Sequence, residues 1–386
     1  MAERRRAVTL GDVARVAGVS VKTASNAVNG TGRMAPATRE RIRAIMEDLG
    51  YRVNVSARNL SRGTTQTLTL AVHSLAAPYL GLLADAVIAE AQEHGYDTQV
   101  LSYGRSGREA ARRVVRDFNI HLSDGLLLST PERLHLTRED LTVPYPLVAL
   151  GSHSAHGVAD RVAVDDRLDS RAITDLLFEG GATAVAVLGA HHRDDHLHAA
   201  TAEYGNAEVR IRGVMESCAA HGRPLDPRLI GVMGYDWGIG RAFDATNRLI
   251  AAGVPFDALV CFNDGLATGA LAALRAAGRD VPRDVQVVGF DNVEESAYLF
   301  PPLTTVDSSI PWIARTSIER LLARIQSPDG AADTPPGIPH HLAPRHPPVD
   351  ALTERSARQL SLIGSGTSVA SLPSLASHRW FAPADP

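Results

Sequence analysis

Along residues 8–51 the apolar positions recur at helical spacing, and glycines cut the pattern into short pieces. Thr9-Leu10-Gly11-Asp12 has the form of a capping box, with Leu10, Val13, Ala14 and Ala17 as the inward stripe and Gly18 as the stop. Ser20 caps a second helix, in which Ala24, Ala27 and Val28 face inward and Asn29-Gly30 ends the run. Pro36 opens a third helix, buried through Ile42, Ile45, Met46 and Leu49 and closed by Gly50. Residues 52–63 then lose this pattern. Asn54 to Leu60 is short, polar and weakly helical, which predicts a linker that orders only when a partner holds it.

From Leu68 onward, apolar runs with strand character alternate with amphipathic segments. Strands are expected at 68–72, 97–101, 125–128, 147–150, 184–188, 258–262 and 285–288, and helices at 80–91, 108–118, 173–178, 209–220, 243–251 and 266–276. Such alternation predicts parallel sheets covered by helices. The length exceeds one comfortable core, so two lobes are expected. The reading is an α/β chain with a helix-turn-helix head over 1–51, a hinge over 52–63 and a two-lobed core over 64–346. The first lobe is expected to hold about 66–165 plus 303–327 and the second about 166–302 plus 328–346. Residues 328–348 are rich in Pro, Gly and His and those after Arg358 in Ser, Leu, Gly and Ala, and 347–386 are expected to form a poorly ordered tail.

Composition narrows the classes. No apolar run is long enough for a membrane helix. The basic residues at 4–6 lead into Val8-Thr9-Leu10-Gly11-Asp12, so a signal peptide is not expected. Two isolated cysteines, Cys218 and Cys261, suit a reducing cytoplasm. The net charge of −4 conceals an asymmetry, because residues 1–63 hold 12 Lys+Arg against 5 Asp+Glu. A basic head on an acidic body suits a polyanionic partner.

The second helix then carries the candidate chemistry. In a helix-turn-helix its first residues reach base edges in the major groove. Lys22 can donate to guanine, Asn26 can pair with adenine, and Val21 can touch a thymine methyl. Thr9, Ser20, Thr23, Ser25, Asn29 and Tyr51 complete the expected DNA-facing set on the head, with the hydroxyl and amide groups suited to phosphate contacts.

Val8 to Ser20, continuing through Asn29-Gly30 to Tyr51, resembles the lac repressor/purine repressor family of bacterial transcription regulators. The resemblance continues through Ser123-Asp124-Gly125, Val164-Asp165-Asp166, Asn263-Asp264, Val287-Val288-Gly289-Phe290-Asp291 and Pro301 to Val306. It implies a homodimer on a near-palindromic double-stranded operator, with Val21, Lys22 and Asn26 as base readers. Asn26 departs from the Arg common in the family, which implies a shifted half-site preference. The resemblance also makes Asn54, Ala57 and Leu60 a DNA-binding hinge, with Leu60 as a minor-groove wedge.

The two lobes resemble periplasmic sugar-binding proteins, which implies a small-molecule effector, a sugar by preference. Residues carried over to that site are Arg210, Asn263, Asp291, Asp166 and Trp237, with Tyr79, Leu80 and Tyr103 lining the first lobe. Ala77 stands where the family has Asn, and Gly151-Ser152 where it has Asp-Arg. The run from His191 to His198 can ligate zinc, but its place after a strand reads as a surface or pocket-rim loop, and no metal or cofactor is assigned. No nucleophile elbow, phosphate loop or dinucleotide fingerprint is present, so an enzyme is not expected. The expectation is a repressor of a carbohydrate-utilisation operon released by its effector. The alternatives are a corepressor-dependent, purine-type repressor, an activator of the same family and, remotely, a solute-binding protein.

Overall fold

The computed structural model describes residues 8–51, 64–104, 108–130, 136–327 and 341–342. The expected hinge over 52–63, with Asn54, Ala57 and Leu60, and the expected tail from 347 lie outside the described residues. Among those described, no helix is long and apolar enough to cross a membrane.

The head is three helices, α1 (Leu10–Ala17), α2 (Val21–Asn29) and α3 (Pro36–Asp48). The capping box at α1 is reciprocal. The Thr9 amide donates to the Asp12 carboxylate at 3.0 Å, and the Asp12 amide donates to the Thr9 hydroxyl at 3.3 Å. The Thr9 hydroxyl, which donates to Asp12 Oδ2 at 2.7 Å, and the Thr9 amide hold the Asp12 carboxyl down to about 2, with Arg15 alongside. Gly18 at φ 68 ends α1 in the left-handed region, where a Cβ would be strained. Val13, Ala17, Ala27 and Ile42 form the small core, with Met46, Leu49 and Tyr51 packed against it.

After the undescribed stretch, the chain is tied at Asp124. Its carboxylate accepts from the Thr64 hydroxyl at 2.5 Å, the Thr65 amide at 2.7 Å and the Gln66 amide at 2.9 Å. This gives the Ser123-Asp124-Gly125 landmark a physical role.

The first sheet contains β1 (Thr67–Val72), β2 (Asp97–Ser102), β3 (Gly125–Ser129), β4 (Leu147–Leu150) and β5 (Asp160–Val162). Its helices are α4 (Pro78–Glu93), α5 (Arg108–Arg116) and α6 (Arg138–Leu141). The second lobe contains α7 (Asp166–Glu179), β6 (Val185–Ala190), α8 (Asp195–Ala199), α9 (Asn206–Ala220), β7 (Ile230–Val232), α10 (Ile239–Ala251), β8 (Ala258–Cys261), α11 (Asp264–Ala276), β9 (Gln286–Phe290) and β10 (Thr304–Val306). The last elements are α12 (Ile310–Gln326) and β11 (His341–Leu342). The strand orders are β11-β5-β4-β3-β1-β2 and β10-β9-β8-β6-β7. The second sheet is parallel throughout.

The division of the late segments differs from the expected one. Residues 304–306 pair with β9 in the second sheet, not with the first lobe. Conversely, His341–Leu342 pairs with β5 in the first sheet, not with the second lobe. The helix α12 packs on the first lobe, through Ile313, Ile318 and Leu321. The chain therefore passes between lobes at 163–165 and again at 307–309. In the second lobe, a Cβ on Gly213 would lie 2.2 Å from the Arg167 carbonyl oxygen, so only glycine lets α9 lie this close to α7.

Candidate functional site

On the head, Val21 and Lys22 project into solvent from the first turn of α2. The remaining expected DNA-facing residues are tied to their neighbours. Ser20 caps α2 by accepting from the Thr23 amide at 3.0 Å, and Asn29 donates to the Ser25 hydroxyl at 3.3 Å. Thr9 is the cap of α1, and Tyr51 packs on the head core. Asn26 is half-buried and turned back: its amide oxygen accepts from the Thr31 hydroxyl at 3.4 Å, and its amide nitrogen lies where a Cβ on Gly32 would come within 2.6 Å.

The second site lies where the carboxyl ends of the strands of both lobes meet, the usual ligand position in open parallel sheets. At its centre, Arg210 of α9 reaches Asp166, the first residue of α7. Its Nε donates to Asp166 Oδ1 at 2.8 Å, and Nη2 stands 2.7 Å from the same oxygen. Nη1 donates to the Phe262 carbonyl, and the guanidinium lies 4.3 Å over the Phe290 ring. The Ser152 hydroxyl donates to the other Asp166 oxygen. Arg210 and Asp166 are 6% and 3% exposed, so this is a buried ion pair with nearly all its polar capacity used.

Carboxyls outnumber this cation. Burial, and then the Asp166 charge, pushes Asp169 up to about 7. Burial also raises Asp291 to about 6, although Arg210 and the Ser308 hydroxyl pull it down. Asp264 rises to about 8, through burial and the Asp291 charge, even though it accepts from the Thr305 hydroxyl at 2.5 Å and the Val293 amide at 2.9 Å. Tyr79, on the first turn of α4, feels the charges of Asp291, Asp166 and Arg210; burial is the main cause raising its phenol. Tyr79 itself is half-buried and packs against the first lobe's core.

The backbone is unusual at the same place. Asp291 and Asn292 have φ 101 and 52, and Ser309, in the crossing at 307–309, has φ 51. The Ser308 hydroxyl donates to Asp291 at 3.2 Å, and Asn292 donates to Asp307 at 3.3 Å. Non-glycine residues in this region cost roughly 1–3 kcal/mol each and persist where the surroundings hold them, often at binding or switch sites.

Of the expected effector residues, the structure pairs Arg210 with Asp166, and the charge of Arg210 acts on Asp291 and Tyr79. Asn263 caps α11, its side-chain oxygen accepting from the Leu266 amide at 2.6 Å. Trp237 stands on the second lobe's wall, its ring 6.0 Å from Phe262 and 5.7 Å from His191, and its buried indole nitrogen has no hydrogen-bond partner among the described residues. Two further expected residues are engaged within the first lobe. Leu80 is 3% exposed within the first lobe's core and offers a ligand almost no surface. Tyr103 is an anchor, its hydroxyl donating to the Ser129 carbonyl at 2.6 Å. Sequence reasoning missed Asp169, Asp264 and Ser308. It noted Ser152 only as a departure, without its role as donor to Asp166.

Residues 9–54 match the model for bacterial regulatory proteins of the lacI family, and residues 174–346 match that for a periplasmic binding protein-like domain. The HTH-type transcriptional regulator GalR of Escherichia coli K12 is 30% identical over 316 residues, covering 82% of this chain and 88% of GalR. The chain belongs to the lacI family of bacterial transcription regulators. The HTH-type transcriptional repressor PurR of Aliivibrio fischeri MJ11 is 28% identical over 83% of this chain and 93% of its own. The lac repressor dimer bound to operator and the anti-inducer ONPF matches with TM-score 0.70 and 26% identity, over 84% of this chain and 94% of that one. This lacI-family chain is thus a DNA-binding regulator with an α/β core, and its relatives are regulators, not enzymes.

Proposed function

We propose that this regulator is a homodimeric repressor of carbohydrate-utilisation genes in the cytoplasm, and that it leaves a near-palindromic operator when a neutral, polyhydroxylated ligand enters the cleft. Val21, Lys22 and Asn26 read bases; Thr9, Ser20, Thr23, Ser25, Asn29 and Tyr51 position the head; Asn54, Ala57 and Leu60 form the hinge contact. In the cleft, Tyr79, Asp166, Arg210, Trp237, Asn263 and Asp291 receive the effector.

The observation that carries the ligand class is the commitment of Arg210. Its donors already serve Asp166 and the Phe262 carbonyl, its face lies on Phe290, and its charge is shared among Asp166, Asp169 and Asp291. Such a site repels phosphate and carboxylate groups and suits hydroxyls, which donate to carboxylates and accept from amides. Binding shifts a two-state equilibrium by as much as its affinity differs between the states. The strained backbone at Asp291 and Asn292, joined by the Ser308 and Asp307 hydrogen bonds to the crossing at 307–309, is where closure of the lobes bears on the chain. The second reading is a corepressor-dependent, purine-type repressor; among the relatives are transcriptional repressors named PurR.

A thermal-shift screen of neutral sugars, sugar phosphates and purines on the full chain, followed by operator binding with each hit, tests this reading. A neutral sugar that raises Tm and weakens operator binding at least tenfold is the expected result. A purine that tightens operator binding establishes the second reading. A stabilising sugar phosphate refutes the charge argument.

A further inference from the structure

The loop after β6 carries the histidine run, and the structure divides its members sharply. His192 and His198 are exposed, and His196 leans on the Arg193 carbonyl at 3.1 Å. His191 instead turns inward, 3% exposed, and stacks on Tyr235 and Trp237 with ring centroids 4.6 and 5.7 Å away. Beside it stand Asp195, 4% exposed at the start of α8, and Glu208 in the first turn of α9. One ligand atom from each of His191, Asp195 and Glu208 lies within 4.8 Å of the others.

We propose that His191, Asp195 and Glu208 form a site for a divalent transition-metal ion of the zinc class. The donor set is one imidazole nitrogen and two carboxylate oxygens, which suits zinc better than calcium or magnesium, whose ligands are oxygens. The two negative charges match a divalent cation once the imidazole is neutral. Asp195 is fixed in place, because one of its oxygens accepts from the His191 and His192 amides at 2.6 and 2.9 Å and so holds the carboxylate close to the ring. Glu208 supplies the adjustable arm. Its Oε1 is 3.8 Å from His191 Nδ1, and its Oε2 is buried without a hydrogen-bond partner among the described residues. Tetrahedral zinc with bonds of about 2.0–2.1 Å holds its donors about 3.4 Å apart, within reach of a rotamer change at Glu208. A bound ion ties together the loop after β6, α8 and α9, the helix that carries Arg210. The fourth position is left to water.

The experiment uses the full chain, stripped with a chelator and dialysed, then titrated with zinc alone by calorimetry and with cobalt(II) by visible absorption. The expected result is one equivalent of zinc and tetrahedral cobalt bands. Glu208→Gln and His191→Ala each weaken the affinity at least tenfold, while the double variant His196→Ala/His198→Ala leaves it unchanged. Glu208→Gln is the decisive variant if His191→Ala fails to fold. The proposal is overturned if the wild type binds no zinc, or if binding survives Glu208→Gln unaltered. It is equally overturned if binding disappears with the exposed histidines, which assigns the ion to the loop surface.

Discussion

Replacing Arg210 by Met removes the cation at the centre of the cleft while keeping most of its volume. The structure sets the size of the effect. Asp166, 3% exposed, keeps its Ser152 hydrogen bond but loses both guanidinium contacts, at 2.8 and 2.7 Å. Removing one partner of a buried pair costs about 3–5 kcal/mol, because the other charge stays buried and uncompensated. For a core of this size, about 2–4 °C of Tm accompanies each kcal/mol, so a drop of about 6–20 °C is expected at pH 8 without ligand. The sign of the pH dependence follows from the neighbours. Arg210 is a cause lowering both Asp169 and Asp291, so its loss raises those carboxyls further. A carboxyl raised in the folded state costs stability as pH climbs from its unfolded value through its folded one. The deficit of Arg210→Met therefore shrinks on acidification to pH 5. Scanning calorimetry at both pH values, with circular dichroism to confirm folding, measures it. A loss under about 1 kcal/mol at pH 8, or an equal loss at both, refutes the idea that this charge network holds the cleft.

Three further outcomes are expected. Asn26→Arg changes the operator selected from a random library at one position of each half-site, since a wrong base pair costs about 1–3 kcal/mol; identical selected sequences rule out Asn26 as a reader. The wild-type core loses stability as pH rises through the range in which Asp291, Asp169 and Asp264 ionise, at about 6, 7 and 8, so its urea midpoint falls between pH 5.5 and 8.5; a rising midpoint contradicts the burial cost of these carboxyls. Tyr298 and Phe300, 76% and 83% exposed, are large apolar side chains suited to a partner copy; the double change to Asp is expected to yield monomers in sedimentation and to weaken operator binding at least tenfold, and an unchanged dimer places the interface elsewhere.

The sequence alone carries what short-range physics writes. The capping box at Thr9 and Asp12, the cap at Ser20 and the left-handed glycines Gly18 and Gly30 each involve groups a few residues apart, so the three-helix head was legible. The strands β3, β4, β6, β8 and β9 were legible because continuous apolar runs mark strands buried on both faces. The strands at 160–162, 230–232 and 304–306 are three residues each, too short to show a period, and their sheet membership depends on which neighbour they reach. The helix Ile310–Gln326 was likewise not foreseen as an element, although its residues were assigned to a lobe. Leu80 and Tyr103 were placed near the cleft, yet only packing decides whether a side chain faces a core, a carbonyl or a ligand. The site itself is the furthest from local reading. Arg210 meets a carboxylate 44 positions away and a carbonyl 52 positions away, and the raised carboxyls owe their values to burial that no linear pattern records. Local sequence specifies elements through bonds within a turn; the charge balance of the cleft exists only once the two lobes exclude water around it.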